Sequence, residues 1–350
     1  MDQKKNSIVF IIVVLILCAI IASIFYYDRN RTQNFISKFT DNSSEVAKYN
    51  ETEETNKTDN TDKKDNTDKK DNSSKVNTTS PTIYCVGDST TLGTENQNNS
   101  YPTYLNDLAN FNIKTIGDKK ITSSGLLVKL GVTPVYVDKL TIPASTTPTP
   151  IVFLNQGGKA NNELLKCQGS IDSVTINGVT GKITYRYEGN TLLFTRDQPG
   201  EQTIVNSPTL IQVNNNVEPN SILILYTGAY EKSIKGSLVN YQKEIIQAFN
   251  TENYLVVSLT QNDRNETNES LRTAHGEHYL DFKGYLLSNG LADAGITPTD
   301  QDLQAIAENK IPTSLLVNEI NGNDKYSQLL SKQILDKLTT LKYINKNIIK

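Results

Sequence analysis

Hydrophobic positions along this chain fall into three regimes. From Ile8 to Tyr27 the sequence is an almost unbroken apolar run, with Ser23 its one mild interruption. From Asp41 to Ser80 the pattern vanishes. That stretch is built from Asn, Asp, Thr, Lys, Glu and Ser, and its large apolar residues are Val46, Tyr49 and Val76. From residue 81 onward, short apolar runs alternate with amphipathic stretches.

The first regime has the length of a helix crossing a bilayer core. Lys4 and Lys5 precede it, so residues 1–7 are expected in the cytoplasm. The run is long for a signal-peptide core and no Ala-x-Ala site ends it, so 8–27 is read as an uncleaved transmembrane anchor. Leu15-Ile16-Leu17-Cys18 has a lipobox outline, but a bulky leucine before Cys18 argues against lipidation. Residues 28–80 then form a polar linker that buries too little to fold. Within it Thr61 to Asn66 repeats directly as Thr67 to Asn72. A flexible chain of that kind holds the folded part roughly 35 Å from the anchor. The expected location is a single-pass cell-membrane protein with its carboxyl-terminal domain outside the cytoplasm, and the Asn/Lys/Ile-rich usage suggests a bacterial source.

The third regime predicts an α/β domain. Ile83 to Val86, Ile113 to Ile116, Ser221 to Tyr226, Tyr254 to Leu259 and Tyr279 to Phe282 read as strands. Tyr101 to Asn110, Ser237 to Asn250, Thr299 to Lys310 and Asp324 to Leu341 read as helices, and Leu126, Leu127 and Leu130 carry helical spacing up to Gly131. Strand and helix in alternation predict a parallel sheet covered on both faces, built from 81–131 and 216–345. Residues 132–215 break the pattern. Short runs at Val135, Ile151, Val174, Lys182 and Thr191 are separated by turns such as Asn177-Gly178 and Glu188-Gly189-Asn190. They predict an inserted antiparallel β domain.

Composition narrows the function. The net charge is −3 with no basic stripe, which points away from nucleic acid. The three cysteines, Cys18, Cys85 and Cys167, are too scattered for a disulfide framework or a zinc site. There are two histidines, His275 and His278, read as surface or edge residues. No metal-ligand cluster is visible and no cofactor is expected.

Candidate chemistry begins at Gly87-Asp88-Ser89-Thr90-Thr91-Leu92-Gly93, directly after the first apolar strand. A serine at the carboxyl edge of a parallel sheet stands where such sheets hold their ligands, and it is a candidate nucleophile. This block, followed by Tyr101-Pro102, resembles the first block of the SGNH/GDSL hydrolases. Further segments resemble one bacterial subgroup of that family with a β insertion. These are Val174 to Gly181, Tyr279 to Leu286, Gly290 to Thr299 and Ile311 to Leu315. The resemblance spans about residues 81 to 345. It implies a three-layer α/β/α, flavodoxin-like fold, no cofactor, and acyl-ester hydrolysis through four blocks.

Set against those blocks, the chain keeps the serine and departs elsewhere. Lys119 and Lys120 stand where the resemblance places the glycines of the oxyanion site. Gly228 is kept, but Tyr230 replaces an asparagine whose amide would be a second oxyanion donor. Asn318 and Asn321 replace the aspartate and histidine of the acid/base pair. An amide has no basic nitrogen, so Asn321 cannot take the Ser89 proton. Losing the triad base typically costs on the order of a millionfold in rate. Three rescues are conceivable from the residues present: a desolvated Lys119 or Lys120 in a Ser–Lys pair, a relocated His275 or His278, or the carboxylates Glu231 and Glu319. The expectation is a catalytically impaired module that binds an envelope polysaccharide or its acyl groups. The alternatives are an active acyl or acetyl esterase with a non-standard base, and an adhesion protein centred on the β insertion.

Overall fold

The computed structural model describes residues 81–93, 100–231 and 237–350. The tail, anchor and linker read at 1–7, 8–27 and 28–80 lie outside the described residues. Among the described residues, no helix is long and apolar enough to cross a membrane.

Two sheets organise the fold. The first is parallel and five-stranded: β1 (Thr82–Gly87), β2 (Asn112–Gly117), β11 (Ile222–Tyr226), β12 (Tyr254–Val257) and β13 (Tyr279–Leu280). Its spatial order is β13-β12-β11-β1-β2, and every neighbouring pair is parallel. Counting only these strands along the chain, the order is 2-1-3-4-5, which places a topological switch point between β1 and β11. All residues of β1 and β11 are buried. Side chains alternate between faces along a strand, so both faces of the sheet are covered.

The helices supply that cover. Helix α1 (Ser89–Leu92) follows β1 directly, then come α2 (Tyr101–Leu108) and α3 (Ser123–Lys129). A short α4 (Glu163–Lys166) lies in the insertion. After it come α5 (Ser237–Phe249), α6 (Asn265–His275), α7 (Phe282–Tyr285), α8 (Leu291–Asp293), α9 (Asp300–Ala307) and α10 (Asp324–Thr340). α10 packs on α2, and α3 packs on α5. Thr299 and Asp302 form a reciprocal capping box at the start of α9. The strand read at Tyr279 to Phe282 stops at Leu280. Asp281 accepts from the Gly284 amide and starts α7 instead, because an N-cap carboxylate satisfies helix amides that a strand would leave elsewhere.

The second sheet lies within residues 136–213. It is six-stranded, in the order β3-β10-β6-β7-β8-β5, and every pair is antiparallel. Its strands are β3 (Tyr136–Val137), β5 (Thr149–Ile151), β6 (Ile171–Ile176), β7 (Val179–Arg186), β8 (Thr191–Arg196) and β10 (Thr209–Val213). Just past β5, Leu154 exchanges two backbone hydrogen bonds with Tyr136 of β3, each 2.8 Å long. The sheet thereby curls into a nearly closed barrel around its own core, which includes Val135, Ile142, Phe153, Ile176, Ile183 and Phe194. A separate pair, β4 (Leu140–Ile142) with β9 (Thr203–Val205), adds a small ribbon. The strand read from Ile151 to Leu154 is shifted towards the amino end, to Thr149–Ile151.

The barrel is fastened to the α/β part by polar contacts along α3. Lys129 Nζ lies 3.0 Å from Asp118 Oδ2 and 2.5 Å from the Ser170 carbonyl, with the Lys129 side chain almost wholly buried. Asp118 also accepts from the Ser170 amide and hydroxyl, each at 3.2 Å. Ser124 Oγ donates to Glu163 Oε2 at 2.6 Å. Cys167, read as a loop residue, is buried and accepts from the Thr122 amide at 3.3 Å. Where the chain returns to the α/β part, Asn215 Nδ2 donates to the Leu130 carbonyl at 2.8 Å.

Candidate functional site

Ser89 sits at the carboxyl end of β1, beside the switch point. Gly87 makes the turn possible through close approach. A Cβ there would lie 2.3 Å from both Thr91 Oγ1 and the Tyr226 carbonyl oxygen. Asp88 then caps α1, its Oδ1 accepting from the Thr90 amide at 3.0 Å. Ser89 opens that helix with only 3% of its surface exposed.

Two loops meet the serine. The first follows β11, the neighbour of β1, and carries Thr227, Gly228 and Tyr230. Gly228 has φ +122°, a conformation that glycine adopts readily, and a Cβ there would press on Leu238 and Leu259 at 2.8 and 2.9 Å. Tyr230 OH comes within 3.0 Å of Ser89 Oγ. The second loop precedes α10. Asn318 Oδ1 accepts from the Ile320 and Asn321 amides, both at 2.9 Å, and from Asn321 Nδ2 at 3.2 Å. The Leu316–Gly322 bridge and a 3.3 Å bond from Gln261 Nε2 to the Ile320 carbonyl hold this turn. Asn321 Oδ1 then receives the Ser89 hydroxyl at 2.5 Å. Behind the loop, Tyr226 OH and Tyr326 OH meet at 2.5 Å, with Thr260 Oγ1 3.0 Å from Tyr326, and tie the start of α10 to β11.

The proton count follows from these contacts. An amide oxygen only accepts, so the single Ser89 proton points at Asn321. Tyr230 must then donate to Ser89. The serine is a donor to a group that cannot remove its proton, and its oxygen receives a phenol proton in addition. The bond received from Tyr230 occupies a lone pair of the oxygen that would attack.

Two acids, Asp88 and Glu231, are buried. Burial pushes Asp88 up to about 7, against the pull of the Thr90 amide, and the charge of Glu231 adds to the rise. Its Oδ2 has no hydrogen-bond partner. Glu231 is also raised by burial, against its bonds to Ser123 and the charge of Arg264. Its Oε1 takes the Ser123 amide, the first of α3, at 2.6 Å. A carboxyl oxygen thus occupies the first amide of α3. Arg264 donates to the Glu231 carbonyl at 3.0 Å.

The remaining candidates lie elsewhere. Lys119 and Lys120 form an exposed turn after β2, so neither is the desolvated lysine that a Ser–Lys pair requires. His275 is buried, which corrects the surface reading. Its Nε2 lies 3.1 Å from Gln242 Oε1, its ring meets Tyr254 edge-on, and burial lowers it to about 4. His278 stacks on Tyr254 and contacts Tyr343 OH at 2.8 Å, beside the start of β12 and so at the opposite edge of the sheet from Ser89. Glu319 lies in the Asn318 turn and is exposed. Gln261 and Arg264 brace the site and carried no sequence signal, because their bonds are set by tertiary packing. Among the described residues, no group of three or more His, Cys, Asp or Glu is arranged to hold a metal ion.

No protein-family model matches this chain, and no curated protein matches its sequence.

Proposed function

We propose that this chain is a membrane-anchored, extracytoplasmic module with a three-layer SGNH-hydrolase-like domain that has lost efficient hydrolysis and binds an envelope polysaccharide or its acyl groups. One observation carries the reading. Ser89 donates its hydroxyl to the amide oxygen of Asn321, where a working site of this geometry needs a basic nitrogen. The 2-1-3-4-5 strand order and the serine at its switch point support the fold assignment. The anchor and the cell-surface location rest on the apolar run 8–27 and the polar linker after it.

The test is labelling of the purified chain with a fluorophosphonate, beside Ser89→Ala. A chain that is folded by circular dichroism and shows no Ser89-dependent labelling meets the expectation. Ser89-dependent labelling overturns it and establishes an activated serine, as in an acyl esterase with a non-standard base. Sedimentation with insoluble envelope polysaccharide then measures the binding half of the proposal.

A further inference from the structure

The tip of the β7–β8 hairpin carries an aromatic corner on the barrel. Alternation along β7 puts residues 181, 183 and 185 on one side. Gly181 and Ile183 of that side are buried, and Tyr185 packs half-buried against the barrel core. Tyr187 begins the turn beyond it. At 76% exposure it is the most exposed large hydrophobic side chain among the described residues. The two rings are 5.0 Å apart and nearly perpendicular, at 85°.

The corner is held in place by the turn itself. Tyr185 OH donates to Asn190 Oδ1 at 2.8 Å, and the Asn190 amide donates to the Tyr187 carbonyl at 3.1 Å. Arg186 Nε donates to the Glu188 carbonyl at 3.0 Å. The turn fixes the backbone that carries Tyr187, and the ring, edge-on to Tyr185, offers a ligand exposed apolar surface.

The surroundings select the ligand. Arg186 and Glu188 cancel in charge, so the tip offers no excess cation to a phosphate backbone or an acidic membrane. On the same side of β8, Leu192 and Phe194 are buried, so no apolar groove continues from the corner. A single exposed ring with a polar rim matches a pyranose, which presents C–H groups on one face and hydroxyls around its edge.

We propose that Tyr185 and Tyr187 form a glycan subsite in which Tyr187 stacks one pyranose ring of a polysaccharide, with Arg186 and Asn190 at its rim. The subsite rests on the reading of the chain as an envelope-glycan binder and adds a contact on the barrel, apart from Ser89.

The test uses the full chain in mild detergent, titrated calorimetrically with chitohexaose and with cellohexaose. One hexaose should bind, and Tyr187→Ala should weaken it at least about tenfold, the scale of one stacked anchor. Tyr187→Trp should restore the affinity. Tyr187 is exposed, so these variants should keep the wild-type melting temperature. Binding that is lost in Tyr230→Ala but kept in Tyr187→Ala would assign the glycan to the serine cleft and overturn the barrel subsite. Failure of both hexaoses to bind would also overturn it, while the labelling result at Ser89 would stand separately.

Discussion

Asn321 turns its amide oxygen to Ser89 at 2.5 Å and its amide nitrogen to Asn318 at 3.2 Å. One asparagine thereby makes both hydrogen bonds that a triad histidine makes, with a shorter reach and no basic nitrogen. The Asn318 oxygen, fixed by two backbone amides, stands where a carboxylate would orient an imidazole.

That geometry predicts a gain of function. The double variant Asn318→Asp/Asn321→His should hydrolyse p-nitrophenyl acetate in a Ser89-dependent manner. The expected rise over the parent is on the order of 10²–10⁴-fold, the usual contribution of a general base. Stopped spectrophotometric assays of the double variant and its Ser89→Ala derivative decide it. Equal rates in the two would show that the imidazole does not reach the serine.

Asp88 should leave a signature in the pH dependence of stability. Burial raises it to about 7 in the folded chain, whereas an unfolded aspartate titrates near about 3.9. A raised carboxyl favours the fold while protonated. Its contribution is therefore complete below the unfolded value and is lost as pH rises towards 7. Relative to Asp88→Asn, the wild type should lose stability between about pH 4 and 7 and run parallel above that. Urea midpoints across pH 4 to 8 measure the difference. A constant offset would mean that Asp88 is ionised throughout.

Asp302 should behave in the opposite sense. Burial alone would raise it, but the amides and hydroxyls of Thr299 and Ser314 hold it well below the ordinary carboxylate range. Thr313 Oγ1 adds a bond of 3.1 Å. A depressed carboxyl stabilises the fold above the unfolded value and loses that contribution as pH falls through the folded one. Asp302→Asn should cost about 1–3 kcal/mol at neutral pH and flatten the loss of stability in acid below about pH 4. Denaturant titrations at pH 7 and pH 3 test both parts.

The buried ion pair that fastens the barrel gives a fourth expectation. Lys129→Met leaves Asp118 without its cation and should cost about 3–5 kcal/mol, the usual penalty for breaking a buried pair on one side. Adding Asp118→Asn should regain part of that loss, because the stranded charge is then removed. Chemical denaturation of the single and double variants measures the coupling. Additive losses would show that the pair contributes as separate hydrogen bonds.

Much of the α/β part was legible because its central strands are short, mostly apolar runs. Ile83 to Val86 and Ser221 to Tyr226 are buried on both faces, and only parallel neighbours allow such runs. The hairpin at Asn177-Gly178 was legible through its turn residues. The end of β13 was not, because Asp281 acts as a helix cap only once the Gly284 amide is beside it. Helix α6 was also hidden, since its sequence from Asn265 to His275 is mostly polar and its one fully buried apolar residue is Leu271. At the site, that Asn321 offers no basic group could be read directly from residue chemistry. That Asn321 faces Ser89, that Glu231 takes the Ser123 amide and that His275 is buried depend on distant segments meeting, and nothing local encodes them.

The chain leaves the α/β part after Leu130 and returns at Asn215, and these two residues touch. An insertion whose two ends meet leaves the host strand order intact, so the barrel is a cassette. Removing it would need only a short closing turn, with no threading or lost strand, but would strip Lys129 and Asp118 of their bonds to Ser170. Such a junction lets recombination exchange one barrel for another in a single step. Selection can then vary what the barrel presents while the serine cleft and its sheet stay unchanged.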